Sequence, residues 1–290
     1  MHYLDPKNDL TFKKVFGEHP HLLKSFLNAL LPLGEGRCIE HLEYLPADLV
    51  PETPLMKYSI VDVRCRDNYG RQFIVEMQLA WTTGFMQRVL FNASKAYVKQ
   101  LDKAFVYKAL QPVYALSLVN EIFEPDTPEF YHHYQIVNIA DTEKQLEGLE
   151  FVFVELPKFK AAKFSEKKLQ VLWLRFLTEI DEHSTHIPEE LLGNSEITEA
   201  LENVRVSAFT KAELDTYDRY WDRVRVELTF KDEYYTKGLK EGEERGEAER
   251  TIVIVKNAIT AGMSNELITT LTGLTDAQID AVRKEIKNKK

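Results

Sequence analysis

The stretch of residues 58–81 constrains the fold of this chain more than any other part of the sequence. Apolar and polar residues alternate over residues 61–66 and again over residues 72–79. A period of two is typical of β-strands that bury one face. The residues between these runs, Asn68, Tyr69 and Gly70, suit a three-residue hairpin loop, because glycine readily adopts the left-handed backbone that the last position needs. The pattern predicts a hairpin with an apolar face toward the core and a largely polar opposite face.

The register of this hairpin brings two acidic residues together. If Asp67 pairs with Arg71, Asp62 lies opposite Glu76 on the same face, with β-carbons roughly 5 Å apart. Gln78 follows on that face. Two neighbouring carboxylates are unfavourable unless a proton or a cation lies between them. Because Mg²⁺ typically binds one or two carboxylates together with water and phosphate oxygens, the pair predicts a site of phosphodiester hydrolysis.

The chain resembles a known nuclease superfamily at these residues. The order of Asp62, a hairpin and Glu76-Met77-Gln78 is similar to the PD-(D/E)XK nucleases, most of which have lysine where this chain has Gln78. A larger set of segments resembles the Rpn family of bacterial recombination-promoting nucleases. These segments are residues 8–17 (NDLTFKKVFG), residues 61–64 (VDVR), residues 76–78 (EMQ) and Arg88. The resemblance covers residues 1–160 well and the remainder loosely.

The resemblance implies a fold, an activity and a set of roles. The fold is α/β, with a restriction-endonuclease-like mixed sheet flanked by helices, and the activity is Mg²⁺-dependent cleavage of DNA, with Mn²⁺ as an alternative ion. Asp62, Glu76 and the carbonyl of Met77 are the implied metal ligands. Gln78 orients the attacking water, and Arg88 shares the task of stabilising charge. The implied biological role is in DNA recombination or the response to mobile elements.

The region around this site is basic, although the formal net charge of the chain is −9. Residues 64–108 contain eight basic and three acidic residues, a local balance of +5. Local basic surface is what contacts to phosphate require. The residues predicted to contact a DNA backbone are Arg64, Arg66, Lys95 and Lys99. An ordinary solvated face is the alternative interpretation of these charges.

The remaining patterns predict helices on both sides of the strands. Asp9 is predicted to cap a first helix that ends near Phe16, although related nucleases suggest a second role for it as an additional acid of the metal site. Further predicted helices cover residues 22–31 and 83–107, and the latter carries Arg88, Asn92, Lys95 and Lys99 in one row. Further predicted strands cover residues 38–45, 112–120, 134–139 and 149–156. The pair His132-His133 is assigned to a surface turn.

The chain is predicted to have four parts. Residues 1–160 form a nuclease-like domain, residues 161–230 a helical extension packed on it, residues 231–250 a charged connector and residues 251–290 a small helical unit. Glycines recur every four residues in the connector, which favours a helical or frayed segment. The terminal unit has the spacing of a helix-turn-helix, but its second helix begins with acidic residues. A role of this unit in protein contacts, such as a homodimer through the C-terminal helical region, is therefore favoured over recognition of a DNA sequence.

Two other functions compete with a nuclease. The first is an inactive or weak nuclease fold that binds DNA or a protein partner, which the missing lysine at Gln78 and the acidic tail favour. The second is an oligomeric scaffold in which Asp62 and Glu76 only form salt bridges with Arg64 and Arg88. No apolar run is long enough for a membrane helix, and the two cysteines have no metal-ligand spacing. The chain is therefore expected to be cytoplasmic, with no membrane partner.

Overall fold

A computed structural model describes residues 2–34, 36–49, 59–101, 106–161 and 168–288. The helices are α1 Asp9–Gly17, α2 Pro20–Leu30, α3 Phe85–Val98, α4 Leu169–Glu179, α5 Glu189–Leu192, α6 Ser195–Asn203, α7 Lys211–Thr260, α8 Asn265–Thr272 and α9 Asp276–Asn288. The strands are β1 Leu42–Tyr44, β2 Asp48–Leu49, β3 Ser59–Ile60, β4 Val63–Asp67, β5 Gln72–Gln78, β6 Val113–Val119, β7 Tyr131–Asn138 and β8 Asp141–Glu155. None of the described helices is long and apolar enough to cross a membrane.

The predicted hairpin is the pair β4–β5, and its register is the predicted one. Val63 pairs with Val75 and Cys65 with Phe73 in an antiparallel ladder. The Asp67 N–H donates to the Arg71 carbonyl at 3.0 Å, which closes the loop. Gly70 has a φ of 85°, the left-handed conformation expected at the end of a three-residue loop.

Within the described residues, a six-stranded mixed sheet has the order β1-β4-β5-β6-β8-β7. Strands β5, β6 and β8 are parallel, and β4 and β7 are antiparallel to their neighbours. Parallel neighbours require a crossover connection, and α3 lies in the one between β5 and β6. This arrangement confirms the predicted α/β fold with a restriction-endonuclease-like mixed sheet flanked by helices.

Both faces of the sheet are covered, which corrects the expectation of a polar second face on the hairpin. Phe73 and Val75 belong to a core that also includes residues of α1, α2 and α4. Ile74, on the opposite face of β5, packs with Val89 and Ala93 of α3. Hydrophobic residues on both faces are typical of sheets that contain parallel strands. A polar residue on the α3 face of β5 is therefore buried unless it lies at the end of the strand.

Several local predictions were wrong in position. Asn8 caps α1, because its side chain accepts the Leu10 N–H, and Asp9 is the first residue of the helix. His132 and His133 lie within β7 and not in a turn. The strand predicted for residues 38–45 is the shorter β1, and the helix predicted for residues 83–107 ends at Val98. Part of the helix predicted for residues 83–107, and part of the helical extension predicted for residues 161–230, lie outside the described residues.

The chain contains two compact units, Met1–Val224 and Arg225–Lys290. In the second unit, Val255, Ala258, Ile268 and Ile279 form a small apolar core. This unit contains α8 and α9, as its predicted helical character required, and the side chain of Gln278 accepts the Thr275 N–H at 2.9 Å in a capping box at the start of α9. The connector predicted for residues 231–250 is helical throughout, within α7. The division into four parts stays a prediction.

Candidate active site

A cleft of about 660 Å³ lies where the C-terminal end of β5 meets the residue before β4 and the N-terminal half of α3. Its lining includes Asp62, Glu76, Met77, Gln78, Arg88 and Asn92. The structure therefore brings together the residues that the sequence analysis assigned to catalysis and metal binding. Asn92, which the sequence indicated only as a member of one row on the predicted helix, lies among them.

Asp62 is held by the backbone of β5. Its Oδ2 atom accepts the Met77 N–H at 2.7 Å. This N–H is available because the chain before β4 turns away from β5, and the Val61 N–H donates instead to the carbonyl of Ala47. The Gln72 N–H and the Gln78 carbonyl form hydrogen bonds on the β6 side of β5. Because backbone polar groups alternate in direction along a strand, the Met77 N–H faces the opposite side, where Asp62 lies.

The Asp62 carboxyl lies in an environment short of positive charge. The pKa of Asp62 is raised from 3.8 to about 6, chiefly by burial and in smaller part by the nearby carboxylates of Asp9 and Glu76, while the Met77 N–H and Lys13 oppose the rise. The cost of keeping Asp62 ionised is therefore offset only partly by the protein itself. A cation near Asp62 would remove that cost.

Glu76 is more deeply buried, with 8% of its side chain exposed. Its Oε1 atom accepts a hydrogen bond from Asn92 Nδ2 at 3.1 Å, and its Oε2 atom lies 3.6 Å from Arg88 Nη2. Burial raises the pKa of Glu76, against the opposing effects of Asn92 and Arg88. Two carboxyl groups with raised pKa values therefore line the same cleft, an arrangement that is more frequent at functional sites than elsewhere.

Gln78 and Arg88 form one hydrogen-bonded unit at the mouth of the cleft. Arg88 Nη2 donates to Gln78 Oε1 at 2.7 Å, and Gln78 Nε2 donates to the carbonyl of Ala80. Arg88 remains 42% exposed. The side chain at the usual lysine position thus fixes the orientation of a neighbouring arginine, and the positive charge comes from α3.

Near Glu76, the side-chain oxygens of Asn92 and Ser117 have no hydrogen-bond partner among the described residues. Asn92 is 1% exposed, and no described residue forms a hydrogen bond with its Oδ1 atom. The same holds for the hydroxyl of Ser117, which pairs with Glu76 across the parallel β5–β6 ladder. Buried polar atoms in native structures are nearly always satisfied by protein, water or an ion. An oxygen acceptor in need of a partner next to a buried carboxylate suits a hydrated hard cation.

The predicted DNA contacts do not share one surface. Lys95 is buried, and its ammonium group donates to the Leu49 carbonyl at 2.6 Å and to Ser59 Oγ at 3.3 Å. Arg64 donates to Gln72 Oε1 at 2.8 Å. Arg66 is exposed and forms an ion pair with Glu43 at 2.7 Å, and Lys99 is exposed just after the C-terminal end of α3. Lys95 is therefore not placed to meet a phosphate.

Asp9 lies near the pair without completing a cluster of three ligands. Its carboxylate forms an ion pair with Lys13 at 2.6 Å, and its charge contributes to the raised pKa of Asp62. Among the described residues, no group of three or more His, Cys, Asp or Glu side chains is close enough to hold a metal ion. The protein ligands available in this part of the chain are thus a carboxylate pair and backbone or amide oxygens.

A family model described as "PD-(D/E)XK nuclease family transposase" matches residues 6–226. The matched region contains the whole mixed sheet, the cleft and the first part of α7. No curated protein and no solved structure matches the chain.

Proposed function

Because the chain belongs to the PD-(D/E)XK nuclease family of transposases, we propose that it is a Mg²⁺-dependent endonuclease that hydrolyses phosphodiester bonds of DNA. The observation that carries the proposal is the pair of carboxyl groups of half-buried Asp62 and buried Glu76, which line one cleft and whose pKa values are both raised. DNA recombination or processing of mobile elements is the role that we propose for this activity, in keeping with the transposase family.

The donors around the cleft fit a hard divalent cation. Asp62 and Glu76 supply carboxylate oxygens, and the Met77 carbonyl points to the same side of β5 as the Met77 N–H that Asp62 accepts. Mg²⁺ keeps several water ligands and needs only one or two protein carboxylates, so the absence of a third acidic side chain among the described residues is compatible with it. Mn²⁺ prefers similar oxygen ligands and is the alternative ion.

When bound, such an ion would supply a Lewis acid that favours ionisation of water and offsets the negative charge developing on the phosphate. Arg88 then meets a phosphate oxygen at the mouth of the cleft, because it is partly exposed and its side chain is held by Gln78. Asn92 holds the Glu76 carboxylate in place through its hydrogen bond to Oε1. In this proposal, Gln78 acts mainly by positioning Arg88.

The experiment is a plasmid-nicking assay with Mg²⁺, Mn²⁺ and EDTA. Asp62→Ala and Glu76→Ala should each abolish metal-dependent nicking while DNA binding is retained or strengthened, since each removes a negative charge that repels phosphate. Glu43→Ala, which removes an exposed carboxylate on β1, is the matched control and should cleave like the wild type. Cleavage by Asp62→Ala at the wild-type rate would falsify the proposed mechanism.

A binding protein without catalytic activity is the second candidate, and the absence of lysine at Gln78 favours it. It predicts that the wild-type protein binds DNA equally with Mg²⁺ and with EDTA and nicks the plasmid in neither. The scaffold interpretation has less support, because Arg64 bonds to Gln72 and, of these two arginines, Arg88 alone lies within 4 Å of a carboxylate of the pair.

A further inference from the structure

The first turns of α7 form hydrogen bonds with the segment that precedes α1. The Tyr217 hydroxyl accepts the Asp5 N–H at 2.9 Å, and the Tyr217 carbonyl accepts from Asn8 Nδ2 at 3.4 Å. Leu10 of α1 and Trp221 of α7 pack against the same small apolar cluster, whose buried members are Leu4, Phe209 and Tyr217. The turn of α7 around residues 217–221 therefore lies against the first turn of α1.

This contact places Tyr220 near the carboxylates of Asp9 and Asp62. Tyr220 is the neighbour of Trp221 in α7, and Asp9 is the neighbour of Leu10 in α1. Tyr220 is partly buried. Burial raises the pKa of the Tyr220 hydroxyl, Asp9 and then Asp62 raise it further, and Arg223 opposes them. The hydroxyl is therefore within electrostatic range of both acids and of this arginine.

Arg223 is a cation held beside this tyrosine. Its guanidinium carbon lies 5.8 Å from the centre of the Tyr220 ring, at a distance typical of a cation–π contact. Arg223 is exposed, and no described carboxylate forms an ion pair with it. By contrast, Arg219, one turn earlier, donates to the Asp215 carbonyl and the Thr216 hydroxyl of its own helix.

We propose that Arg223, seated against Tyr220, binds a phosphate of the DNA strand on the Asp9–Asp62 side of the catalytic site. Arg88 lies on the other side, beside Glu76 and Gln78. A strand entering the cleft is then held between cations from two helices that are far apart in sequence. Guanidinium suits this task because its planar fork forms two hydrogen bonds with a phosphate at once. The inference rests on the proposed nuclease function and assigns part of its substrate binding to α7.

The test compares full-length variants of α7. Arg223→Ala removes the cation, Arg223→Lys keeps a charge without the fork, and Lys211→Ala removes an exposed charge roughly 18 Å earlier on the same helix as the matched control. Affinity for a fluorescein-labelled DNA duplex is measured by anisotropy over a series of salt concentrations, with Ca²⁺ in place of Mg²⁺. The KM and kcat of cleavage are measured with Mg²⁺.

Arg223→Ala should weaken DNA binding about tenfold and reduce the slope of log affinity against log salt by about 1, as expected for one lost phosphate contact. Its KM should rise while kcat stays within about threefold of wild type. Arg223→Lys should recover part of the affinity. An affinity and a salt slope for Arg223→Ala equal to those of Lys211→Ala would overturn the inference, as would absence of DNA binding by the wild type. Binding without metal-dependent cleavage would instead overturn only the proposed function.

Discussion

At the scale of single residues, Gln78 and Arg88 determine which element supplies positive charge to the candidate site. Most of the superfamily has lysine at the position of Gln78, whereas here the Gln78 amide holds Arg88 at 2.7 Å. The positive charge is thus supplied by Arg88 of α3 and not by a residue of β5. An amide and a guanidinium are compatible neighbours, but an ammonium and a guanidinium repel each other at this distance.

Gln78→Lys, which restores the superfamily residue, should therefore lower cleavage about tenfold, because the introduced ammonium group would displace Arg88 from the cleft. The double variant Gln78→Lys/Arg88→Gln, which exchanges the two positions, should recover part of the activity. Initial rates of plasmid nicking measure both. Faster cleavage by the single variant than by the wild type would show that Arg88 does not depend on Gln78.

Asp62→Asn should stabilise the metal-free protein at neutral pH. The folded-state pKa of about 6 lies above the ordinary 3.8, so ionisation of Asp62 destabilises the fold increasingly as pH rises from about 4 and fully above 6. Asparagine retains an oxygen that accepts the Met77 N–H. Thermal denaturation in EDTA should show a Tm higher by roughly 2–4 °C for each kcal/mol relieved at pH 7.5 and little gain at pH 4. Glu43→Gln is the control, and an equal gain at both pH values would contradict the argument.

Asn92→Ala should weaken metal binding about 10–100-fold, as removal of a residue that orients a ligand typically does. It takes away the donor to Glu76 Oε1 and the unpartnered Oδ1 beside it. Titration of the metal-free protein with Mn²⁺, followed calorimetrically, measures the affinity. Ser94→Ala, on the same helix, is the control, because its hydroxyl bonds to the Leu90 carbonyl of its own helix. Equal affinities of the two variants would remove Asn92 from the site.

At the scale of elements, the hairpin β4–β5 sets the register that brings Asp62 to Glu76. Gly70→Ala should destabilise the protein by about 1–2 kcal/mol, because a side chain is unfavourable at a φ of 85°. The new methyl group would also lie 3.1 Å from Gln111 Cγ. Urea denaturation measures the change, and Gly193→Ala, at a helical φ of −75°, is the control. Similar losses in both variants would argue against a constrained turn.

The sequence was sufficient to predict this hairpin and insufficient to predict what covers it. Alternation and Gly70 are local signals, so the register and the Asp62–Glu76 pair followed from residues 61–79 alone. The row of Asn92 and Lys95 was also visible at helical spacing, but spacing does not say which side of a helix meets a sheet. Both residues turned out to be buried, where they satisfy Glu76 and the Leu49 carbonyl. The contact of α7 with α1 joins residues more than 200 positions apart, beyond the reach of any local pattern.

At the scale of the whole molecule, the site and the principal cores lie in the unit Met1–Val224. A chain that ends at Arg250 should therefore fold and keep its stabilisation by Mg²⁺, although it loses the core around Val255 and Ile268. Circular dichroism and the shift of Tm with Mg²⁺ measure these two properties. Sedimentation should show a change of oligomeric state if the C-terminal helices join two copies of the chain. Failure of the shortened chain to fold would show that residues 251–290 complete the first unit.

The hydrogen bond from the Met77 amide to the Asp62 carboxylate has a dynamic consequence. Amide hydrogens within a strand ladder exchange with solvent when the backbone opens. The Met77 amide hydrogen is instead bonded to the Asp62 side chain, so it can exchange when that single carboxylate moves. Any ligand that draws Asp62 toward itself changes the protection of that hydrogen, even if the sheet stays closed. Deuterium uptake at one backbone position of β5 would thus report occupancy of the cleft without a substrate and without bond cleavage.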